Sequence, residues 1–416
     1  VLANAEYSNT FNKIVTYWLI GFAISLETGI FLSQVFAAFG GILVIYTFLK
    51  KNTIRSVEHG ATFFLLLTII AFLISAFSSA DIIHSLLKIA KKFLLPLTGF
   101  FSVLILINTT RQRSVMLHAL LISGGVGALI GLFQYFTGID PIYGQYIPGP
   151  MRGTTIPVYS AKGLLNMSLT YSGVQSSIFL FLLPFVWEKR GKKNIWYWII
   201  ILLLFVTSIF TLKRSPMIAI AFASMFFIFS KGKKAGLTAI IAGIILLLGL
   251  YAGSSAFRVR IDETIYMKTP AESDRLYLWK AAIDMGVDSP VCGVGIGHWS
   301  HHVHEYLPVD REFQSVAHPH SDPMFVWATT GIIGVIAISG LLFMLFQSGI
   351  KDLRRYKSPR NEWLIYSGGM FALLGFVVMS MFQCYMTDGE NIFMLAVLMG
   401  FALNARNALL IEANKS

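Results

Sequence analysis

"AHPHSDPMFVWATTGIIG", residues Ala317 to Gly334, sets two histidines, a proline and an acid directly ahead of an apolar run. The run continues to about residue 346, and roughly 20 such residues carry an α-helix across a hydrocarbon core. Ser321 or Asp322 can cap this helix, and Pro323 is preorganised for its first position. His320 then stands just outside the helix, where lipid meets water. Pro319 restricts His318 to an extended backbone, and the positive end of the helix dipole points to the same face. A neutral imidazole, with an ordinary pKa of about 6.5, is suited to take a proton there. An interfacial histidine hydrogen-bonded to Asp322 has the same signature, so position alone leaves both readings open.

Apolar segments of this kind recur along the chain. Of 416 residues, 55% are hydrophobic and 13% charged, with a mean hydropathy of +0.67. A soluble protein carries about 25% charged residues. The reading is an all-α polytopic membrane protein with about 12 transmembrane helices. They are expected near 11–32, 33–50, 61–80, 91–108, 114–137 and 168–187. The remainder fall near 195–212, 216–230, 235–252, 323–346, 362–385 and 390–408. The first segment lacks a small-residue cleavage site behind it and is expected to be a span, not a cleaved signal. Residues 1–252 thus hold nine spans with short loops and a longer loop at 138–168. Residues 253–322 form the largest hydrophilic loop, expected to be a small helical cap, and 323–416 hold the last three spans.

Alternation puts both termini on one side. That side receives Lys50, Lys51 and Arg55, then Lys189, Arg190, Lys192 and Lys193, and later Lys351 to Arg360. By the positive-inside rule it is the cytoplasmic face. The net charge of +12 therefore records topology and does not call for a nucleic-acid partner.

The basic residues expected on the far side are fewer and more informative. Lys88, Lys91 and Lys92 precede the fourth span; Arg152 and Lys162 lie in the loop 138–168; Lys213 and Arg214 occupy a short turn. Arg258, Arg260, Lys268, Arg275, Lys280 and Arg311 lie in the longest loop. Each either meets an anion or pairs with a nearby carboxylate. "ESDRLYLWKAAIDMG" reads as a helix capped by Ser273 or Asp274, with Leu276, Trp279 and Ile283 on one face and Gly286 just past its end. Arg275 then falls in the first turn, whose free N–H groups favour anions. "DSPVCGVGIGHW" reads as a glycine turn, because no βαβ pattern surrounds it. "HWSHHVHEY" is rich in histidine but has no firm ligand spacing; His301 and Glu305 share a helical face. Glu27, His118, Gln134, Gln175 and Gln383 are the polar residues inside apolar segments, with Glu27 placed to snorkel or to meet an outer cation. Cys292 and Cys384 form no disulfide framework, although both fall near the outer face. There is no nucleotide-binding domain, so the energy of any reaction must arrive with the substrate.

Three separated segments resemble the O-antigen ligase and polymerase superfamily of bacterial envelope glycosyltransferases. That family ends a large outer loop with a His, followed in the next span by Gly-x-x-Gly; here His320 precedes Gly331 and Gly334. Upstream stand an Arg-led helix, Asp-x-Pro and Gly-x-Gly, here Arg275, Asp288 and Pro290, and Gly293 and Gly295. Earlier still an Arg follows a span, matching Arg214 in "TLKRSPMIAI". Ser321 departs from the Asn commonly found after the His.

The resemblance implies a GT-C-like fold in a Gram-negative inner membrane, with an active site on the periplasmic side. It implies transfer of an O-antigen glycan from undecaprenyl diphosphate to a sugar of lipid A–core oligosaccharide by a metal-independent inverting displacement, with no cofactor. The partners are then the carrier-linked donor, the lipid A–core acceptor and membrane lipids. His320 is the implied general base, and Arg214 and Arg275 hold the diphosphate, with Arg152 a third contact. His318 orients the segment, and Lys88, Lys91 and Lys92 meet carrier phosphates or acidic lipid A groups. A polymerase or a protein O-oligosaccharyltransferase of the same superfamily differs only in acceptor. A secondary transporter would instead show internal repeats and buried ionisable residues on a midplane path.

Overall fold

The computed structural model describes residues 8–51, 59–142, 144, 159–189, 194–265, 270–313, 315–355 and 360–413. Arg152 and Lys268 lie outside the described residues, as do Arg55, Arg190, Lys192 and Lys193. The chain is helical throughout, with no strand among the described residues. In hydrocarbon every backbone N–H and C=O must be satisfied within its own segment, which leaves helices as the solution for such apolar runs.

The first half contains α1 (Asn9–Thr28), α2 (Ile30–Lys51), α3 (His59–Phe77), α4 (Ile82–Ile89), α5 (Leu95–Leu106) and α6 (Thr110–Thr137). Then come α7 (Ser168–Glu188), α8 (Ile195–Phe210), α9 (Arg214–Lys231) and α10 (Lys233–Gly253). The large loop folds into α11 (Ser255–Ile265), α12 (Pro270–Asp288), α13 (Trp299–His302) and a 3₁₀ turn, Val303–Tyr306. The chain closes with α14 (Asp322–Arg355), α15 (Asn361–Ser380) and α16 (Gly389–Ala413). Each of the expected apolar segments overlaps a helix, but 362–385 runs past the end of α15 at Ser380, 61–80 past the end of α3 at Phe77, and 11–32 straddles the break at Gly29 between α1 and α2. Eight helices are long and apolar enough to cross a membrane, and Ala61–Phe77 and Ile195–Phe210 are shorter apolar helices. The chain is a multi-pass membrane protein.

Two helices form the interior. The apolar windows of α7 and α15 are 89% and 83% buried, whereas that of α10 is 6% buried. The sequence explains α7: "SLTYSGVQSSIF" offers small Ser and Gly side chains that let neighbouring helices approach closely. Away from the histidine-bearing end, ion pairs knit the bundle, including Arg113 to Glu362 at 3.2 Å and Arg406 to Asp352 at 2.5 Å.

Several local expectations are corrected. The fourth span does not begin at Lys91; α4 starts at Ile82, capped by Asp81, whose carboxylate accepts from His84 N at 2.9 Å. It runs through a π-turn, Ala90–Leu94, into α5. Pro96, in the first turn of α5, has no N–H to donate to the preceding turn, and the wider turn absorbs that gap. In α12, Leu276 and Ile283 are exposed, and the buried face is Leu278, Ala281, Ala282 and Met285. That face packs with Trp299, Val303, Phe325 and Ala328. Gly286 lies inside α12, not beyond it, and a β-carbon there would come within 2.1 Å of Trp327 Nε1. It is a close-packing glycine. Because α12 begins at Pro270, Arg275 is past the first turn. Asp274 is not a cap but a buried partner of Arg311, at 2.9 Å.

Candidate active site

The site rests on a break in α14. Gly331 has φ 59° and ψ −158°, a combination essentially open only to glycine. The break frees helix backbone groups, and the glycine turn from the large loop takes them up. Ile332 N donates to Pro290 O at 2.8 Å, Val294 N to Ala328 O at 3.0 Å, and Gly295 N to Thr329 O at 3.1 Å. A β-carbon on Gly293 would come within 2.3 Å of the Thr329 backbone, and one on Gly331 within 2.5 Å of the Val291 backbone. Ser75 of α3 adds its hydroxyl to Thr329 O at 2.6 Å and accepts from Ile296 N at 3.1 Å. Asp288, just before Pro290, accepts from the Tyr306 hydroxyl at 2.8 Å, which together with burial pushes that phenol up to about 12. The Asp-x-Pro, Gly-x-Gly and Gly-x-x-Gly patterns thus describe one docking of backbone on backbone.

This docking fixes the first turns of α14 and the residues ahead of them. His320 adopts φ 54°, left-handed backbone that L-residues visit at a cost of about 1–2 kcal/mol. Its N–H meets His318 Nδ1 at 3.3 Å, and the two rings stand 4.4 Å apart, edge to face. His320 Nδ1 lies 2.7 Å from Gln383 Oε1. His320 is therefore not bonded to Asp322, as one reading of the sequence had it. The Asp322 carboxylate instead accepts from Tyr385 N at 3.0 Å and Met386 N at 2.9 Å. The crossover 381–388, between α15 and α16, is the hub. The Tyr385 hydroxyl sits 3.2 Å from Ser215 Oγ in the first turn of α9, next to Arg214. Asp388 accepts from Thr170 Oγ1 at the head of α7, at 2.5 Å.

Arg275, half-buried, brings its charge to the histidine pair. Burial, the His320 imidazole and the Arg275 guanidinium push His318 down to about 4. Burial and then Arg275 lower His320, against the opposing hydrogen bond from Gln383. Both rings are held neutral at physiological pH. Burial also raises the Cys384 thiol and the Tyr385 phenol. A neutral imidazole next to a guanidinium is an arrangement that can remove a proton while an anion is held alongside.

The remaining basic residues divide. Lys162 pairs with Asp140 at 2.9 Å, Lys280 with Asp284 at 2.5 Å and Arg311 with Asp274. The Arg258 guanidinium donates to Tyr251 O and Ala252 O. Lys88 packs its stem near Gly297, while Lys91 and Lys92 ride the π-turn, Lys92 within electrostatic reach of Glu390 at the head of α16. In the histidine tract His302 Nδ1 lies 3.2 Å from Glu305 Oε1. His298 is buried, its Nδ1 3.2 Å from Ser85 Oγ, and its ring lies near those of His84 and His301. Among the described residues no group of His, Cys, Asp and Glu has a metal-holding arrangement. Cys292 and Cys384 are free thiols.

The polar residues of the apolar segments are explained by long-range partners. Glu27 is 1% exposed; it neither snorkels nor meets an outer cation, but accepts from Gln175 Nε2 at 3.0 Å. Gln134 holds the end of the 138–168 loop, donating to Gly163 O at 2.7 Å and accepting from Gly163 N at 2.8 Å. His118 bonds Ser114 O at 2.6 Å and stacks on Trp196.

An apolar cavity of about 390 Å³ lies between α3, α5, α14, α15 and α16. Asp322, Met381 and Met386 line it at the crossover, and Phe72, Phe93, Leu342 and Leu403 are among its apolar walls. Asp322 thus touches both the polar site and the cavity.

Residues 199–339 match the family described as O-antigen ligase. The matched stretch opens within α8 and ends within α14, so it contains Arg214, Arg275, His320, Gly331 of the break and Gly334. No curated protein matches the chain. The similarity to the O-antigen ligase family thus spans residues 199–339 of the chain.

Proposed function

We propose that the protein transfers a glycan from an undecaprenyl diphosphate carrier to a sugar hydroxyl of lipid A–core, on the periplasmic face of the inner membrane. The observation that carries this reading is Arg275 acting on His320, whose segment leads directly into Asp322 and Pro323 of the apolar cavity wall. A polyprenyl tail needs an apolar channel in the bilayer, and its diphosphate needs cations at the mouth of that channel.

The acceptor hydroxyl gives its proton to the imidazole of His320 as its oxygen bonds to the anomeric carbon. The bond from that carbon to the diphosphate oxygen breaks, and the anomeric centre inverts. Charge grows on the leaving diphosphate, where Arg275 and Arg214 stabilise it through planar, bidentate donors. Lys88, Lys91 and Lys92, close in sequence to the cavity residues Ile89 and Phe93, serve as further phosphate contacts. His318 accepts the His320 N–H and so supports the backbone that aims the base. The glycosyl diphosphate is already activated, so the reaction needs no nucleotide and no cofactor.

The test is transfer in vitro from purified undecaprenyl diphosphate glycan to rough lipopolysaccharide. His320→Asn removes the base and is expected to slow turnover by about 10²–10⁴-fold. Arg275→Lys keeps the charge but loses the bidentate fork, and a fall of at least about tenfold is expected. Wild-type turnover in His320→Asn overturns the assignment. Lengthened carrier-linked glycan in place of core-linked product moves the reading to a polymerase.

A further inference from the structure

The crossover residue Gln383 lies outside the stretch matched by the family, and its side chain touches the base directly. Its Oε1 sits 2.7 Å from His320 Nδ1 and 3.2 Å from Cys384 N. A backbone N–H is an obligatory donor, so the side-chain atom facing Cys384 N is the amide oxygen and not the NH₂ group. That fixes the amide's orientation without reference to the histidine. Because the same oxygen faces His320 Nδ1, an acceptor meets that nitrogen, and Nδ1 carries the hydrogen. Neutral His320 is then the Nδ1–H tautomer, with its lone pair on Nε2.

We infer that Gln383 is a positioning residue for the proton-abstracting histidine: it selects the tautomer in which Nε2 is the basic nitrogen and holds the ring against rotation. The inference rests on the proposed role of His320. Two features make the device specific. First, the crossover is itself pinned, because Asp322 accepts the Tyr385 and Met386 N–H groups and Asp388 ties to Thr170. Gln383 therefore works from a fixed frame. Second, an amide accepts the Nδ1 hydrogen without adding charge. A carboxylate in its place would hold the imidazolium more firmly and keep the base protonated to higher pH. The charged and titratable groups around His320 are Arg275 from α12, His318 on its own segment, Asp322 at the head of α14, and Tyr385 and Asp388 in the crossover. The Cys384 thiol meets the His320 backbone, and Ser215 of α9, the residue after Arg214, reaches the crossover through Tyr385.

Two variants of the full chain test this. Gln383→Leu removes the acceptor; the expected result is a fall in kcat of about 10- to 100-fold, within the roughly 10²–10⁴-fold that a general base supplies, with KM for the donor changed less than about twofold. Gln383→Glu keeps an acceptor for both Cys384 N–H and His320 Nδ1–H. It is expected to restore turnover at alkaline pH while the acid limb of the kcat profile moves to higher pH. The tautomer is read without substrate from ring ¹⁵N shifts in histidine-labelled protein, His320 being identified by its loss in His320→Asn. Wild type should show Nδ1 protonated, and Gln383→Leu a mixture of tautomers. A protonated Nε2 in wild type overturns the inference, as does equal loss in Leu and Glu variants with an unmoved pH profile. If His320→Asn transfers glycan normally, it is the functional reading that falls, while the tautomer measurement still stands on its own.

Discussion

Replacing Gly331 by alanine tests whether the break in α14 holds the site together. The backbone there is at φ 59° and ψ −158°, and forcing an alanine into such a region costs about 1–3 kcal/mol. Its β-carbon would also fall within 2.5 Å of Val291 C and O and 2.7 Å of Pro290 O. These are backbone atoms and cannot swing aside, so the glycine turn must move away. With it go the three bonds from Ile332 N, Val294 N and Gly295 N, each worth about 0.5–1.5 kcal/mol net. The sum is a loss of about 3–7 kcal/mol, enough to detach the turn and disturb the residues before α14. The control is Gly243→Ala in α10, where a β-carbon would meet nothing within 4 Å. Thermal unfolding of detergent-purified protein, followed by size-exclusion fluorescence, should show a much lower midpoint for Gly331→Ala and no fall in midpoint for Gly243→Ala. Glycan transfer should fall with it. Equal midpoints and equal turnover in the two variants would refute the reasoning.

Other expectations concern the same end of the bundle. Burial and Arg275 lower the His320 pKa, so the neutral base persists on the acid side of an ordinary histidine, and turnover is lost only as pH falls through that lowered value. Arg275→Gln removes one of the lowering causes, and the acid limb measured in that variant should lie at higher pH than in wild type. Asp322→Leu strips the Tyr385 and Met386 N–H groups of their carboxylate. At about 1.5–3 kcal/mol for a hydrogen bond to a charged group, the midpoint of thermal unfolding should drop clearly, with Asp322→Glu losing less. Cys292 is half-exposed and Cys384 is 3% exposed. A water-soluble maleimide should therefore label one thiol in the folded protein and a second only after denaturation, with no disulfide on a non-reducing gel.

What the sequence displayed was set by local physics. Roughly 20 apolar residues in a row admit only a helix in lipid, so the positions of the helices were legible. Pro323 and the Ser321–Asp322 pair marked the start of α14 to within a residue. The order of Arg214, Arg275 and His320 was visible through motif spacing. What remained hidden depends on partners far away in the chain. The buried face of α12 could not be chosen from its own periodicity, because Leu276 and Leu278 are equally apolar and only the surfaces of α13 and α14 select between them. Gly286 looked like a helix end because its real neighbour, Trp327, is distant in sequence. Glu27 looked like an interfacial acid until Gln175 of α7 was seen beside it. Gln383 carried no signal beyond polarity in an apolar segment. Asp322 had a clear local role as a cap, and that role masked its grip on the crossover.

The ordering of the helices in the chain has a consequence for biosynthesis. The cavity walls come from α3 and α5 on one side and from α14, α15 and α16 on the other, and Gln383 and Met386 belong to the crossover between the last two helices. A ribosome must therefore pass the crossover 381–388 before the imidazole has its amide neighbour, and continue into α16 before the cavity has its second wall. Until then the early helices lack the partners that close the cavity, and His320 stands beside Arg275 without Gln383 to hold its ring. A chain that stops before the crossover lacks both the second cavity wall and the amide beside His320.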